Sequence, residues 1–162
     1  MNFELKQIGT IHTPYKDNAP YQADEKVEGD FTIDVDPKFE QALKSLEQFT
    51  HIYVLYYLDR LDEEYKNIIS PPWADNHSTG LFASRSPVRP NPIGLSIVKI
   101  LNIKKNIISI SGIDAFDNTP LIDIKPYIKN LDCKEDANAG WINFIEFDEH
   151  LKMHLAGIPH KH

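Results

Sequence analysis

Three prolines fall within six residues, Pro87, Pro90 and Pro92, in the string Arg85-Ser86-Pro87-Val88-Arg89-Pro90-Asn91-Pro92-Ile93-Gly94. Each fixes its own φ and pushes the residue before it into extended geometry, so Ser86, Arg89 and Asn91 are set in advance of any ligand. None of the three supplies an N–H, so regular pairing is blocked here and the chain must pass as a rigid loop. Such a loop presents two guanidiniums and an amide at little entropic cost on binding. That suits recognition of a carboxylate, a phosphate or a base edge. A rigid turn at a barrel rim, with solvated arginines, explains the same pattern without a ligand.

Either side of this loop the pattern is short strands. Phe3 to Ile8 alternates, and Gly29 to Val35 alternates more cleanly, with Phe31, Ile33 and Val35 on one face. Residues 13–28 between them form a polar, Pro-bearing loop, long enough to suggest function rather than mere connection. Asp36-Pro37 predicts a helix start, with Asp36 as cap and Phe39, Leu43 and Leu46 on one face. Phe49 to Leu58 is aromatic and β-branched and reads as a buried strand. Residues 59–79, with Pro71-Pro72, read mostly as loop. Leu81 to Ala83 reads as a short strand, and Ile93 to Ile103 and Ile107 to Ile113 as two strands joined at Lys104-Lys105-Asn106. Trp141 to Phe147 reads as a last strand, and the tail from Asp148 as room for one short helix. Short strands with one good helix predict a mainly β chain whose antiparallel sheet curls into a small barrel. No Gly-x-Gly-x-x-Gly fingerprint is present, which argues against a Rossmann nucleotide fold.

The 162 residues suit one domain, and a chain this long can bury roughly 70% of its unfolded surface. We expect the barrel over residues 1–148 and a tail over 149–162. The single cysteine, Cys133, excludes an internal disulfide and favours a reducing compartment. The N-terminus lacks a signal pattern, and no apolar run approaches the roughly 20 residues of a membrane span. A cytoplasmic protein without membrane contact is expected. The net charge of −7 argues against non-specific coating of nucleic acid. Residues 85–105 nevertheless carry Arg85, Arg89, Lys99, Lys104 and Lys105 and no acid, which points to an anionic ligand there.

A second informative segment runs from Asp114 to Tyr127. Asp117-Asn118-Thr119-Pro120 reads as a turn. Beyond it Leu121, Ile122 and Ile124 bracket Asp123, and Lys125, Pro126 and Tyr127 come next in the chain. Asp123, Lys125 and Tyr127 form a set suited to proton handling or ligand anchoring. A solvent-facing strand end is the plainer explanation. His150 and His154 are spaced for a helical metal pair, but no partner ligand is evident and no metal is expected. His51 reads as a satisfied core histidine. Trp73 and Trp141 read as packing residues, Trp73 being placed to stack on a base.

The strings "RSPVRPNPIGLS" and "DNTPLIDIKPY", with "IGTIHTPYK" and "LEQFTHIYVLYYL" upstream, resemble the TsaA-like (TrmO-type) family of tRNA methyltransferases over residues 3–148. The resemblance implies a non-Rossmann β-barrel and a homodimer. It implies S-adenosylmethionine as cofactor near the subunit interface and tRNA as partner. The implied reaction is methylation of N6 of threonylcarbamoyl-adenosine beside the anticodon. The implied cofactor contacts are Pro20, Tyr21, Gln22, Leu58, Asp59, Arg85, Leu95, Leu121, Ile122, Asp123 and Ile124. Arg89, Asn91, Lys125 and Tyr127 would face the RNA or support the site. Asp59-Arg60 stands where the family pattern has His-Gln, and bacterial members carry a further C-terminal domain. A small-molecule acceptor, or a non-catalytic barrel that binds a nucleotide-like ligand, are the rival readings.

Overall fold

The computed structural model describes residues 4–72, 74 and 77–144. The strands are β1 (Gly9–His12), β2 (Thr32–Val35), β3 (His51–Tyr57), β4 (Ile68–Ile69), β5 (Thr79–Gly80), β6 (Ile93–Lys104), β7 (Ile107–Ile110) and β8 (Thr119–Pro126). Six of them close an antiparallel barrel in the order β1-β2-β7-β6-β3-β8, while β4 and β5 pair separately. The barrel confirms the fold read from the strand pattern. Its interior obeys the two-residue period. Ile11, Ile33, Val35, Ile52, Val54, Tyr56, Val98, Ile108, Ile110 and Leu121 point inward and are buried. Closure leaves no exposed edge among these six strands.

The predicted helix after Asp36 is a 3-10 helix over Pro37–Leu43, with a second turn at Leu46–Gln48. Its apolar face is as expected: Leu43 is buried and Phe39 and Leu46 pack on the core. Asp36 makes no side-chain cap. Its carboxylate pairs with Lys38 at 3.3 Å instead. The only α-helix among the described residues is the four-residue Lys129–Asp132, and no helix among them is long and apolar enough to cross a membrane.

Three predicted strands are corrected. Residues 4–8 are not a strand, because the neighbours of β1 end at Gly9. On one side Val35 pairs with Gly9 and Pro37 then starts the helix; on the other, β8 pairs Leu121 with Gly9 and leaves for β3. Only Ile8 extends the ladder, its N–H donating to Leu121 O at 2.9 Å. Leu81–Ala83 is a 3-10 turn, because its carbonyls are taken by side chains: Ser84 Oγ and Arg89 Nη1 both donate to Leu81 O. Gly140–Phe144 is also 3-10, with Gly140 at φ +57° and the Trp141 indole donating to Ala83 O at 2.8 Å. Phe3, Trp73, the remainder of the predicted last strand, the tail with its expected helix, and the C-terminal histidines lie outside the described residues.

Two packing features hold the loops to the barrel. In the first, Gly94 lies opposite Tyr56 in the β3–β6 ladder, and a Cβ there would sit 2.1 Å from the Tyr56 ring. Without that Cβ the ring lies flat across β6. Its hydroxyl donates to Asp114 Oδ1 at 2.9 Å, and Ser96 Oγ donates to the same oxygen at 2.7 Å. Burial, then the Asp114 charge, push the Tyr56 pKa far up, so the phenol stays a donor.

The second feature anchors the long loop of residues 13–28. Thr13 Oγ1 donates to Ala115 O at 3.0 Å, and Asp117 N–H donates to Tyr15 O at 2.8 Å. Arg60 donates to Lys16 O and to Asp117 O, each at 2.6 Å, with its guanidinium 5.0 Å over the Phe116 ring. Asp117 Oδ1 in turn accepts from Thr13 N–H at 3.3 Å and meets His12 Nδ1 at 3.3 Å. Partial burial works to raise the Asp117 pKa, but these bonds and the charge on His12 outweigh it and hold it below the usual 3.8.

Gly94→Ala should lower stability by about 1–3 kcal/mol, the usual cost of overpacking. An unchanged urea midpoint would show that Tyr56 can move aside. A lowered folded pKa stabilises above the unfolded value and is lost as pH falls through the folded one. Asp117→Asn should therefore be less stable than wild type at pH 7, with the gap narrowing as pH falls below about 4. A gap that is the same in urea titrations at pH 7, 5 and 3 would assign the effect to hydrogen-bond geometry rather than charge.

Candidate functional site

The outer faces of β6, β3 and β8 line up in rows. Leu95, Leu55 and Asp123 are register partners across the three strands; Ile97, Tyr53 and Lys125 form the next row. Lys99 and His51 begin a third, which Tyr127 completes by donating its N–H to His51 O at 3.0 Å. Leu95 is 61% exposed and Ile97 49%, so apolar side chains face outward next to an ion pair. Lys125 Nζ lies 2.9 Å from Asp123 Oδ2. The hydrogen bond and the charge of Asp123 raise the Lys125 pKa. Asp123 Oδ1 also accepts from Ile124 N–H at 2.9 Å, which fixes the carboxylate. Tyr127 packs its ring 5.5 Å from Tyr53 and 6.4 Å from His51.

Arg85 Nη1 donates to Gln22 Oε1 at 3.2 Å, joining the Pro-rich loop to the long loop across 63 residues. Gln22 Nε2 donates to Tyr21 O at 2.7 Å, and Tyr21 is exposed beside it. The long loop is pressed against the barrel at Gly112, where a Cβ would sit 2.3 Å from Asp24 O. Farther along it, Glu25 Oε1 lies 3.7 Å from His51 Nε2. The loop thus reaches the same outer face that carries Tyr127.

The structure brings Arg85, Gln22 and Tyr21 together at one place, and Leu95, Asp123, Lys125 and Tyr127 on one face. Leu58 joins the Pro-rich loop through its backbone, its N–H donating to Pro92 O at 2.8 Å, while its side chain packs on the core. Asp59 and Asn91 are exposed, and Pro20 is half-buried. Leu121 is fully buried and Ile124 packs on the core, so both turn their side chains away from the outer face. Ile122 is the extra residue of a bulge in β8. Arg89 is half-buried, and its Nη1 donates to the carbonyls of Leu81, Ser84 and Ser86 at 3.2, 3.0 and 3.4 Å. That geometry shapes the loop from inside.

Sequence reasoning missed Tyr53, Leu55 and Ile97. His51 is not a core histidine; it stands on the outer face with Thr50 Oγ1 2.9 Å from its Nδ1. The Tyr56–Ser96–Asp114 set was missed as well, although a glycine opposite a tyrosine is its signal. An apolar recess of about 320 Å³ opens beside Asp123, lined by Phe39, Leu43, Leu46, Phe49 and Ile124. Among the described residues no group of three or more His, Cys, Asp and Glu could hold a metal.

The side chains present are of the types that S-adenosylmethionine requires. An adenine ring needs apolar surface such as Leu95, Leu55 and Ile97. Ribose hydroxyls and an ammonium need a fixed carboxylate, which Asp123 is. An α-carboxylate needs a guanidinium such as Arg85.

Residues 10–133 match the family model described as the tRNA-methyltransferase O N-terminal domain. A probable S-adenosyl-L-methionine-binding protein of Pyrococcus abyssi is 39% identical over 139 residues, 85% of this chain and 74% of that protein. The tRNA (adenine(37)-N6)-methyltransferase of Escherichia coli is 31% identical over 150 residues, 86% of this chain and 64% of that enzyme. The crystal structure of TrmO from Pseudomonas aeruginosa superposes with a TM-score of 0.72 at 30% identity, covering 87% of this chain and 63% of that one. The chain therefore spans under two thirds of the bacterial enzyme and of the solved chain. With its barrel, its outer-face ion pair and its Pro-rich loop in place, this chain belongs to the tRNA-methyltransferase O family and carries that family's N-terminal domain.

Proposed function

We propose that this protein is an S-adenosylmethionine-dependent methyltransferase acting on N6 of adenosine 37 in tRNA, in its threonylcarbamoyl form, as a cytoplasmic homodimer. The observation that carries this reading is the outer face itself, where Asp123 and Lys125 stand in register with Leu55, Leu95, Tyr53 and Ile97. The names of the relatives support the same activity and cofactor. S-adenosylmethionine supplies, when bound, an electrophilic methyl group.

The chain's own residues then have distinct tasks. Leu95, Leu55 and Ile97 offer apolar surface and exclude water. Asp123, held by Lys125 and by Ile124 N–H, is an acceptor in one orientation and suits a hydroxyl or ammonium, or the N6 proton of the acceptor. That proton is acidified by the acyl group of a threonylcarbamoyl adenosine, so a weak base suffices. Lys125 would supply positive charge to a carbamoyl oxygen on which negative charge develops. Arg85 suits a carboxylate or phosphate as a fork. Arg89, with Nη1 held by its own loop, acts as a positioning residue. Tyr127, packed against Tyr53 and His51, supports the row that carries Lys125. The same contiguous apolar exposure supports coverage by a second copy, since soluble monomers seldom leave such a patch open.

The test is transfer of labelled methyl to tRNA from cells lacking this protein, with nucleoside analysis of the product. A methylated threonylcarbamoyl-adenosine is expected. Cofactor binding without transfer to RNA would favour a small-molecule acceptor or a non-catalytic binder. Asp123→Asn should slow turnover by about 100-fold, the lower range for an acid–base group. Turnover within about twofold of wild type at saturating cofactor would remove Asp123 from the chemistry.

A further inference from the structure

Phe82 is 81% exposed, more than any other large hydrophobic residue described. An exposed aromatic is ordinary on a mobile loop, but this one is held on both sides. Leu81 before it is buried, and the Leu81 carbonyl accepts from Ser84 Oγ at 2.8 Å and from Arg89 Nη1 at 3.2 Å. Ala83 after it accepts the Trp141 indole N–H at 2.8 Å. The Arg89 guanidinium lies over the Phe82 ring, 5.6 Å from its centre. Arg89 in turn precedes Pro90, which restricts its backbone. The backbone on both sides of the ring is thus held, a cation lies over the ring, and most of the side chain faces solvent.

We propose that Phe82 is a stacking platform for an unpaired nucleobase of the RNA substrate, backed by Arg89. The platform rests on tRNA being the substrate and deepens that reading. Loop nucleotides are recognised by stacking splayed bases on aromatic side chains, and such stacking tolerates any base. A cation behind the ring holds it in place and draws the phosphates that accompany the base. Residues 85–105 contain no acid, so the loop's own sequence adds no repulsion to that attraction. Arg85, three residues beyond Phe82, donates to Gln22 of the long loop, so a base on Phe82 would lie near a guanidinium that the proposed function assigns to an anionic group. A second protein copy is the other conceivable occupant, but it favours a contiguous apolar patch. Phe82 is flanked by Gly80, Ala83, Ser84 and Arg85, whereas the contiguous patch is the face of Leu95 and Ile97.

The experiment compares full-length wild type, Phe82→Ala and Phe82→Trp. The RNA probe is tRNA from cells lacking this protein, with its isolated anticodon stem-loop alongside. Phe82→Ala should raise the Kd and the KM for RNA about tenfold, equivalent to about 1.4 kcal/mol. Its Kd for S-adenosylmethionine and its sedimentation should be unchanged, and Phe82→Trp should restore RNA affinity. RNA binding by Phe82→Ala within twofold of wild type would overturn the proposal. So would a changed oligomeric state, which would assign the ring to a protein contact. Wild type that binds neither RNA would instead sink the tRNA reading, and the Phe82 platform with it.

Discussion

Leu121 points into the barrel, and a strand alternates with period two. In an unbroken β8, Asp123 and Lys125 would share that inward face and enter the core. They do not, because β8 carries one extra residue: Tyr56 pairs with Leu121 and Leu55 with Asp123, so Ile122 is a bulge. The single insertion reverses the parity of everything after it. Ile124 packs on the core, while Asp123 and Lys125 stand outside in register with Leu55 and Tyr53. Burying that pair would remove two charges from water, a penalty that their mutual attraction seldom exceeds. The bulge thus lets one strand serve the core with Leu121 and the outer face with Asp123.

Beside the bulge stands the buried Tyr56, which pairs across to Leu121 on one side and Gly94 on the other. Gly94 is the last residue of the Pro-rich string, so the rigid loop and the packing of the tyrosine meet at one position. The Tyr56 hydroxyl and Ser96 then hold Asp114, which begins the segment leading to Asp117 and the turn into β8. Arg60 fastens that turn to the base of the long loop through two carbonyls. The loops around the site are therefore tied to the same framework that sets the register of β8. Such support is what holds a reacting geometry within the tolerance that catalysis needs.

Much of the framework was legible in local pattern. Phe31, Ile33 and Val35 alternate and all are buried. Lys104-Lys105-Asn106 does turn between β6 and β7, with Lys105 at φ 55°. The bulge was not legible, since it depends on which residue of β3 each residue of β8 meets. Nor was the outward face of β3: in Phe49 to Leu58 both faces are apolar or aromatic, and period alone cannot tell inside from outside. Leu81-Phe82-Ala83 looks like a strand by composition, and only the competing donors from Ser84 and Arg89 turn it into a 3-10 turn. Arg60 acts on residues 44 and 57 positions away, beyond any local reading.

The charge distribution bears on the proposed encounter of an acidic chain with RNA. A net charge of −7 would repel a polyanion at long range, but screening in physiological salt confines that field to roughly 8 Å. Within that distance the local residues decide, and along the Pro-rich loop and β6 they are cationic or neutral. On the outer face the Asp123 carboxylate is paired with Lys125 at 2.9 Å. The proposed RNA substrate, entering over the Pro-rich loop, would meet the cations of that loop first and a compensated carboxylate second. Overall charge then governs the rate of encounter, while the rigid loop and the ion pair govern what is held.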